Sequence, residues 1–339
     1  MLEDRLLEWL RRIQMSLEKK DLAIGVDLGG TKLLVALISV DGKVIRELEC
    51  KTSIHDAVQI SFTLVNAITQ LIDHVNRSRL RGIGVASAGV IDSKRKKIVY
   101  ANNLGLENYP IGDLLEDHFH LPVRVCNDAN SAAIAEWIWG AGIGKRNLIY
   151  ITVSTGIGAG IISDGKLITG IHDSAGEFGH ITIVHKGEQC GCGNRGCLEQ
   201  YASGTALARL ANQRLKNSTS LLHDLKTGST VTNKEIALAA EKGDPLSISL
   251  LHEVGEYLGT GVTSLIHLFN TEAIVFGGGI MNMSDFILPA VEEYVRENSI
   301  TQMSRDVVIS KTVLGKRAGV MGASGLFFLN EGTEPSINV

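Results

Sequence analysis

The chain has 339 residues, of which 37 are glycine and 5 are proline, and its 33 basic and 37 acidic side chains leave a net charge of −4. Because 44% of the residues are hydrophobic, the chain can bury a sizeable core, which excludes general disorder, and the lack of a Gly-X-Y period excludes collagen. A slightly negative chain has no overall attraction for nucleic acid or anionic lipid. We therefore expect a soluble, cytoplasmic protein of about two domains that binds neither nucleic acid nor a membrane.

The first predicted element is a helix over residues 1–20. Leucine and isoleucine recur there at roughly helical spacing among charged residues, which is the pattern of a helix that buries one face. The same segment lacks the basic and then apolar order of a signal peptide. We expect this N-terminal helix to pack against the fold or to contribute to an oligomer contact.

A strand-turn-strand unit is predicted twice. Each copy has an apolar run, a glycine-rich turn with threonine, a second apolar run and an Asp-Gly pair, which favours a hairpin turn. The two Asp-Gly pairs begin at Asp41 and Asp164, 123 residues apart. This repetition predicts an internal duplication that gives two similar domains facing each other. The predicted strands cover 22–28, 33–38, 148–153 and 159–162.

Segments with helical patterns separate and follow these units, so the fold class is mixed α/β. A third strand, over 273–276, leads into another glycine-rich turn. A stretch rich in serine and threonine, 217–232, is predicted to be a surface loop. The predicted helices cover 57–76, 130–139, 204–215, 234–240, 246–269 and 285–297.

The three glycine-rich turns are candidates for phosphate binding, because such turns leave backbone N–H groups uncovered. A hairpin alone would explain any one of them, whereas three together favour a nucleotide site. No Walker A sequence is present, so P-loop mechanics do not apply. No Gly-x-Gly-x-x-Gly lies between a predicted strand and helix with an acid after the next strand, which weakens a Rossmann assignment. The turn residues are Gly29, Gly30, Thr31, Ser154, Thr155, Gly156, Gly158, Gly277, Gly278 and Gly279.

Two aspartates end predicted strands. Asp128 follows the apolar run 121–126 and precedes a predicted helix, so it is either a general base at the edge of a sheet or a helix cap. Asp27 is either a turn residue or an acid near a Mg²⁺ ion that is held largely through water.

Three of the five cysteines are close together in the sequence, which makes a poor disulfide framework. Cys190, Cys192 and Cys197 follow His180 by 10, 12 and 17 residues. Three thiolates and one imidazole suit a tetrahedral, structural Zn²⁺ ion. The alternative is a set of free buried cysteines.

The chain resembles the ROK sugar kinases (repressor, open reading frame, kinase) of the actin and hexokinase superfamily, from residue 22 to about residue 328. Its most specific matches are Glu-x-Gly-His at 177–180 and Cys-x-Cys-Gly-x-x-Gly-Cys-x-Glu at 190–199. Residues 27–32 and 154–160 resemble the family's two phosphate motifs, and 277–279 its adenosine motif.

The resemblance implies a two-domain actin-like ATPase fold, related to ribonuclease H, with a cleft between the domains. We expect a small domain over 21–129 plus 316–339 and a large domain over 130–315, with a zinc loop at 180–197. The implied activity is ATP- and Mg²⁺-dependent phosphorylation of a hexose at its 6-hydroxyl by a homodimer, with Asp128 as base. Asp27 and Lys32 would join the turn residues in nucleotide binding. The implied sugar contacts are Gly89, Asn103, Asn127, Asp128, Glu177, His180 and Glu199.

One departure from the family's glucokinases bears on the sugar. Where many of them have Pro-Gly-Pro or Pro-Gly-Ala, this chain has Ala88, Gly89 and Val90. Mannosamine-type members can carry a basic residue after that glycine, and Val90 offers no such donor for an acetamido group. Glucose is therefore the favoured substrate, with N-acetylmannosamine or a related hexose as the alternative.

A rival hypothesis is a sugar-sensing regulator without kinase activity. The family's repressors need a helix-turn-helix domain ahead of the first phosphate motif. Only about 20 residues precede Leu22 here, so we expect a kinase.

Overall fold

The computed structural model describes residues 20–329, and the helix predicted over 1–20 lies outside the described residues. The chain divides into two compact units. Unit 1 comprises the described residues 20–135 and 317–329, and unit 2 comprises residues 136–316. The two points where the chain passes between the units thus lie at 135/136 and 316/317, near the 129/130 and 315/316 expected from the sequence.

The strands of the described part are numbered in chain order. They are β1 Leu22–Leu28, β2 Lys32–Ser39, β3 Val44–Lys51, β4 Leu80–Ser87, β5 Val90–Asp92, β6 Lys97–Ala101, β7 Leu106–Tyr109, β8 Val123–Asn127, β9 Leu148–Val153, β10 Ile157–Ser163, β11 Lys166–Leu167, β12 Ala273–Gly277 and β13 Val308–Lys311.

The α-helices are numbered in the same way. They are α1 Ala57–Leu71, α2 Ile111–Phe119, α3 Asp128–Trp139, α4 Glu199–Ala202, α5 Gly204–Arg214, α6 Leu222–Leu225, α7 Asn233–Glu241, α8 Pro245–Phe269, α9 Ser284–Asn298, α10 Thr301–Ser304 and α11 Ala318–Gly325. Short 3₁₀ helices cover Arg77–Arg79, Phe178–His180, Leu215–Asn217, Gly279–Met283 and Gly315–Arg317.

Unit 1 is built on a five-stranded sheet of order β3-β2-β1-β4-β8. β1 pairs antiparallel with β2 and parallel with β4, which in turn pairs parallel with β8. Ile24, Val35 and Ile83 from three of these strands are fully buried in one core with Leu64 of α1. The parallel arrangement brings the carboxyl ends of β1, β4 and β8 to one edge of the sheet.

Unit 2 repeats this strand order. Its sheet has the order β11-β10-β9-β12-β13, with β9 antiparallel to β10 and parallel to β12. Ile151 of β9 and Phe276 of β12 are fully buried in a core that also contains Leu258 of the 25-residue helix α8. Both units therefore contain an antiparallel three-stranded meander followed by two parallel strands, as a duplication predicts.

The helix α11 approaches the sheet of unit 1 at backbone distance. A Cβ atom added at Gly25 would overlap the carbonyl oxygen of Val320, and one added at Gly84 would overlap that of Ala323. On the helix itself, Gly319 lies so near Asp27 that an added Cβ would be 2.8 Å from Oδ2 of that carboxylate. Part of the glycine surplus thus permits close helix-sheet packing beside Asp27.

Most predicted elements are confirmed, with boundaries shifted by a few residues. The basic run Lys94–Lys97 lies at the hairpin between β5 and β6, where the ammonium of Lys96 is 2.6 Å from the carboxylate of Glu116. The loop predicted over 217–232 contains the short helix α6. The sequence patterns did not predict β5 to β7, α2 or α11. Among residues 20–329, no helix is both long and apolar enough to cross a membrane.

Candidate active site

In the first glycine turn, between β1 and β2, two carbonyl oxygens accept hydrogen bonds and two N–H groups have no partner among the described residues. Thr52 donates from Oγ1 to the carbonyl oxygen of Gly29 at 2.8 Å and from its N–H to that of Thr31 at 3.4 Å. The N–H of Gly29 donates to the carbonyl oxygen of Lys32 at 3.0 Å. Within residues 20–329 the N–H groups of Gly30 and Thr31 have no partner. Two consecutive free N–H groups form a site for an anionic oxygen.

The second turn, between β9 and β10, has the same property. Thr205 donates from Oγ1 at 2.8 Å and from its N–H at 3.3 Å to the carbonyl oxygen of Thr155. The carbonyl oxygen of Ser154 accepts from the N–H of Gly204 at 2.8 Å. In the described part of the chain, the N–H groups of Thr155 and Gly156 make no hydrogen bond. Both turns are therefore braced through their carbonyl oxygens by a threonine.

The third turn lies beside the second. Gly278 has a φ of +89°, and an added Cβ there would overlap the carbonyl oxygen of Val153, so only glycine fits. At Gly279 an added Cβ would be 4.0 Å from Oγ of Ser154. A cavity of about 1110 Å³ opens in unit 2 at this place, lined among others by Thr155, Thr205, Asn212, Asn233, Gly279 and Asn282. Oδ1 of Asn233 is buried without a hydrogen-bond partner, so the cavity wall contains an unused acceptor.

Asp128 and Asn127 lie where β8 meets α3. Oδ1 of Asn127 accepts from the N–H groups of Ala129 at 2.9 Å and Asn130 at 3.4 Å, so Asn127 caps the helix. Oδ1 of Asp128 also accepts from Ala129, at 2.9 Å. Capping is thus provided by Asn127 and does not by itself account for a carboxylate at position 128.

The two strand-end aspartates influence each other. Burial and, to a smaller extent, the charge of Asp128 raise the pKa of Asp27 to about 6, with Lys32 acting in the opposite direction. Burial also raises the pKa of Asp128, against the hydrogen bond from Ala129. Two carboxylates that disfavour each other's ionisation would be stabilised by a cation, and their oxygen atoms are the ligands that Mg²⁺ prefers.

The residues around Gly89 form a second part of unit 1's edge. Gly89 has a φ of +102°, and a Cβ there would overlap the carbonyl oxygen of Tyr100. Asn127 donates from Nδ2 to the carbonyl oxygen of Gly89 at 3.5 Å. Asn103 lies against the first turn, since a Cβ at Gly30 would be 2.9 Å from the Asn103 carbonyl oxygen. The structure thus groups four of the candidate sugar residues, Gly89, Asn103, Asn127 and Asp128, in unit 1.

The other three candidate sugar residues lie in unit 2. His180 has Nδ1 3.6 Å from Sγ of Cys190 and Nε2 3.9 Å from Oε2 of Glu177. One ring nitrogen thus faces the cysteine cluster and the other faces a carboxylate. Oε2 of Glu199 accepts a hydrogen bond from the N–H of Ile157 at 2.9 Å, which joins it to the second turn.

The histidine and the three cysteines predicted as metal ligands come together. The ligand atoms of His180, Cys190, Cys192 and Cys197 all lie within 4.8 Å of one another. Sγ of Cys192 is 3.7 Å from Sγ of Cys197, close to the roughly 3.8 Å that tetrahedral Zn–S bonds of about 2.3 Å require.

The environment of the sulfur atoms fits a cation. Burial and the neighbouring sulfur atoms together raise the pKa of the Cys197 thiol to about 12, so a nearby positive charge is needed for thiolate at neutral pH. Asn194 and Gln200 donate side-chain N–H groups at 3.6 Å to Cys197 and Cys190. The donor set, the spacing and the supporting hydrogen bonds suit Zn²⁺.

Thr52 and Thr205 were not singled out by the sequence patterns. Neither lies in a motif. Thr52 directly follows β3, and Thr205 lies at the start of α5, so each bonds to its turn from a different element. The sequence could not have separated these two threonines from the others of the chain, because their hydrogen bonds to the turns depend on the tertiary structure.

A model of the ROK family matches residues 23–329. The chain belongs to the ROK family. A glucokinase from Halalkalibacterium halodurans is 33% identical over 309 residues, which cover 89% of this chain and 94% of that protein. The crystal structure of a ROK family glucokinase from Streptomyces griseus, in complex with glucose and AMPPNP, has a TM-score of 0.78 and 35% identity over 90% of this chain and 98% of its own.

The ROK family also contains regulators that are similar to this chain. The N-acetylglucosamine repressor of Escherichia coli is 32% identical over 300 residues, which cover 88% of this chain and 73% of the repressor. The ROK relationship alone therefore leaves catalysis to be argued from the site.

Proposed function

We propose that this ROK protein transfers the γ-phosphoryl group of ATP to the 6-hydroxyl of glucose. The observation that carries the proposal is the combination of two braced turns, each with two free N–H groups, and a pair of carboxylates with raised pKa at a strand edge. Phosphoryl transfer needs these two components, since it relies on charge stabilisation around the phosphate and on a base for the attacking hydroxyl.

Asp128 is the proposed base. Burial raises its pKa, which makes the carboxylate a better proton acceptor than an ordinary aspartate. Bound Mg²⁺ would supply positive charge near the transferred phosphoryl group, with Asp27 as the acid beside it. In each unit, the free N–H groups of the glycine turn would offer donors to phosphate oxygens.

The proposed sugar contacts are those implied by the family resemblance: Gly89, Asn103, Asn127, Asp128, Glu177, His180 and Glu199. Glucose is favoured over N-acetylmannosamine because the side chain after Gly89 is Val90, which is 43% exposed and has no polar group for an acetamido substituent. A panel of hexoses and amino sugars compared by kcat/KM tests this preference, because discrimination is expressed in that ratio. A higher value for N-acetylmannosamine than for glucose would replace the proposed substrate.

The cavity of unit 2 is the proposed site of the adenosine. It adjoins the second turn at Thr155 and the third at Gly279, so a nucleotide there has its phosphates near the free N–H groups. Lys216, Lys226 and Lys234 line the same cavity and add positive charge. Gly277 and Gly278 directly precede Gly279 in the third turn.

Replacing Asp128 by asparagine tests the chemical step. The variant keeps the size of the side chain and loses the base, so kcat should fall at least about 100-fold. The dissociation constant for glucose, measured by calorimetry, should stay within several-fold of the wild-type value. An unchanged kcat in the coupled ADP-release assay would remove Asp128 from the role of base.

We also propose that His180, Cys190, Cys192 and Cys197 hold one structural Zn²⁺ ion. Metal analysis of the purified protein should find one zinc per chain. The variant Cys192→Ala should lose the metal and weaken glucose binding, whereas Cys50→Ala, which removes a cysteine outside the cluster, should keep both. Well under one zinc per chain in the wild type would contradict the proposal.

The second candidate function is a sugar-sensing regulator, supported by the similarity to the N-acetylglucosamine repressor. It predicts glucose binding without glucose-dependent ADP release above background. The proposed homodimer rests on the family resemblance and is tested separately by light scattering of the purified protein.

A further inference from the structure

Within unit 2, one carboxylate joins the cysteine segment to the second phosphate turn. Glu199 is the first residue of α4 and follows Cys197 by two positions. Its Oε2 accepts from the N–H of Ile157 at 2.9 Å, and Ile157 directly follows the turn residue Gly156. The segment that carries the metal-ligand candidates therefore has a direct hydrogen bond to the turn that carries the free N–H groups.

Gly156 is shaped to receive this carboxylate. A Cβ added there would overlap Oε2 of Glu199 and would lie 3.3 Å from its Cδ. The φ of Gly156 is not positive, so its backbone conformation is open to other residues. The glycine is therefore required by the close approach of Glu199 and not by the turn conformation.

The contact leaves half of the carboxylate available. In the described part of the chain Oε1 of Glu199 has no hydrogen-bond partner, and the side chain is only partly buried. A carboxylate can accept through both oxygens at once. Oε2 can thus hold the turn while Oε1 accepts from a sugar hydroxyl.

We propose that Glu199 is a positioning residue that couples hexose binding to nucleotide binding through the second turn. A hexose hydroxyl bonded to Oε1 orders the carboxylate, and Oε2 then fixes the peptide between Gly156 and Ile157. This orders the N–H groups of Thr155 and Gly156 for the phosphate. The inference rests on the proposed function, and by linkage the nucleotide must strengthen hexose binding by the same factor.

The test is the dissociation constant of AMPPNP, measured by calorimetry without glucose and with saturating glucose. The ratio of the two constants is the coupling factor, and we expect about tenfold in the wild type, within the usual range for coupled sites. Glu199→Ala should lower the factor to near one. Glu199→Gln should restore most of it, because an amide oxygen can still accept from Ile157. Gly156→Ala should also lower it, since the new methyl group displaces a carboxylate that is still present.

Glu177→Gln is the matched control. Glu177 is also a proposed sugar contact, but its carboxylate faces His180 and makes no described hydrogen bond to the turn. This variant should bind glucose more weakly and keep the wild-type coupling factor. If Glu199 had only a structural role, Glu199→Ala would weaken AMPPNP binding equally without and with glucose. The coupling factor would then keep its wild-type value.

The proposal is overturned if Glu199→Ala and Gly156→Ala keep the wild-type factor, or if the wild-type factor is one. Should Glu199→Ala fail to fold, Gly156→Ala decides in the same way. Failure of the proposed function is recognised separately, as a wild-type protein without glucose-dependent ADP release. An active enzyme without coupling refutes only the role of Glu199.

Discussion

At the scale of single residues, the buried carboxylate of Asp27 lowers the stability of the fold while it is proposed to serve the activity. Its pKa of about 6 lies above the 3.8 of an ordinary aspartate, because burial and the charge of Asp128 disfavour its ionised form. The ionised carboxylate is therefore less stable in the folded chain than in the unfolded chain. A carboxylate with a raised pKa of this kind is expected at a functional site.

Asp27→Asn should therefore stabilise the protein while it reduces activity. The folded pKa is raised, so the destabilisation is absent below pH 3.8, grows between pH 4 and 6, and is complete above pH 6, where it amounts to at most about 3 kcal/mol. The melting temperature of the metal-free variant should exceed that of the wild type by several degrees at pH 8 and by less at pH 5. Glu107→Gln, at an exposed carboxylate, should show no such difference. An equal gain in melting temperature at pH 5 and at pH 8 would contradict a raised pKa of Asp27 in the folded chain.

At the scale of elements, the two glycine turns are held in the same way although their sequences differ. Each has one carbonyl oxygen that accepts from a threonine hydroxyl: Gly29 accepts from Thr52 in unit 1, and Thr155 accepts from Thr205 in unit 2. Bonding the carbonyl oxygens keeps them away from a phosphate, which they would repel. The elements around the turns thus prepare an anion site before any ligand binds.

Thr205→Val should weaken nucleotide binding specifically. Valine keeps the shape and loses the hydroxyl donor, and one lost hydrogen bond of about 1 kcal/mol raises the KM for ATP about fivefold. The KM for glucose should change less than twofold. Thr260→Val is the control, because that hydroxyl donates to the carbonyl oxygen of Glu256 within its own helix. An equal rise in the KM for glucose and the KM for ATP would contradict a specific role of Thr205 in nucleotide binding.

At the scale of the whole molecule, residues 20–329 form two cores, one for each unit. The segment around the cysteines contributes to the core of unit 2, where Phe178 and Leu198 are buried. Both lie against α8 at Gly261, where an added Cβ would be 2.6 Å from the Phe178 ring. Loss of order in the cysteine segment therefore reaches the core of one unit.

Removing the proposed Zn²⁺ ion should affect the two units differently. After treatment with a strong chelator, hydrogen exchange should accelerate in residues 178–200 and in α8, because the cysteine segment is no longer cross-linked. Exchange in β1 and β4, whose core is separate, should stay at the wild-type rate. Equal acceleration in both units, measured by mass spectrometry of the peptides, would contradict a metal site confined to unit 2.

The sequence by itself determined the elements with strong local patterns. The strands 22–28 and 148–153 and the helix α8 follow from runs and periods of apolar residues, and the strand-turn-strand repeat predicted two similar units. The four metal-ligand candidates follow from spacing alone, because soft ligands separated by glycines have few other uses. Elements with weak patterns, such as α2 and α11, were not predicted.

Only the tertiary structure decided which groups act on one another. The bonds from Thr52 and Thr205 to the turns, the approach of Glu199 to Gly156, and the effect of Asp128 on Asp27 join residues that are 21 to 101 positions apart. A hydrogen-bond partner or a pKa depends on distance and burial in space, and neither quantity is encoded in a local run of residue types. The sequence therefore proposed candidate groups for the chemistry, and the fold decided how they are held and which charges surround them.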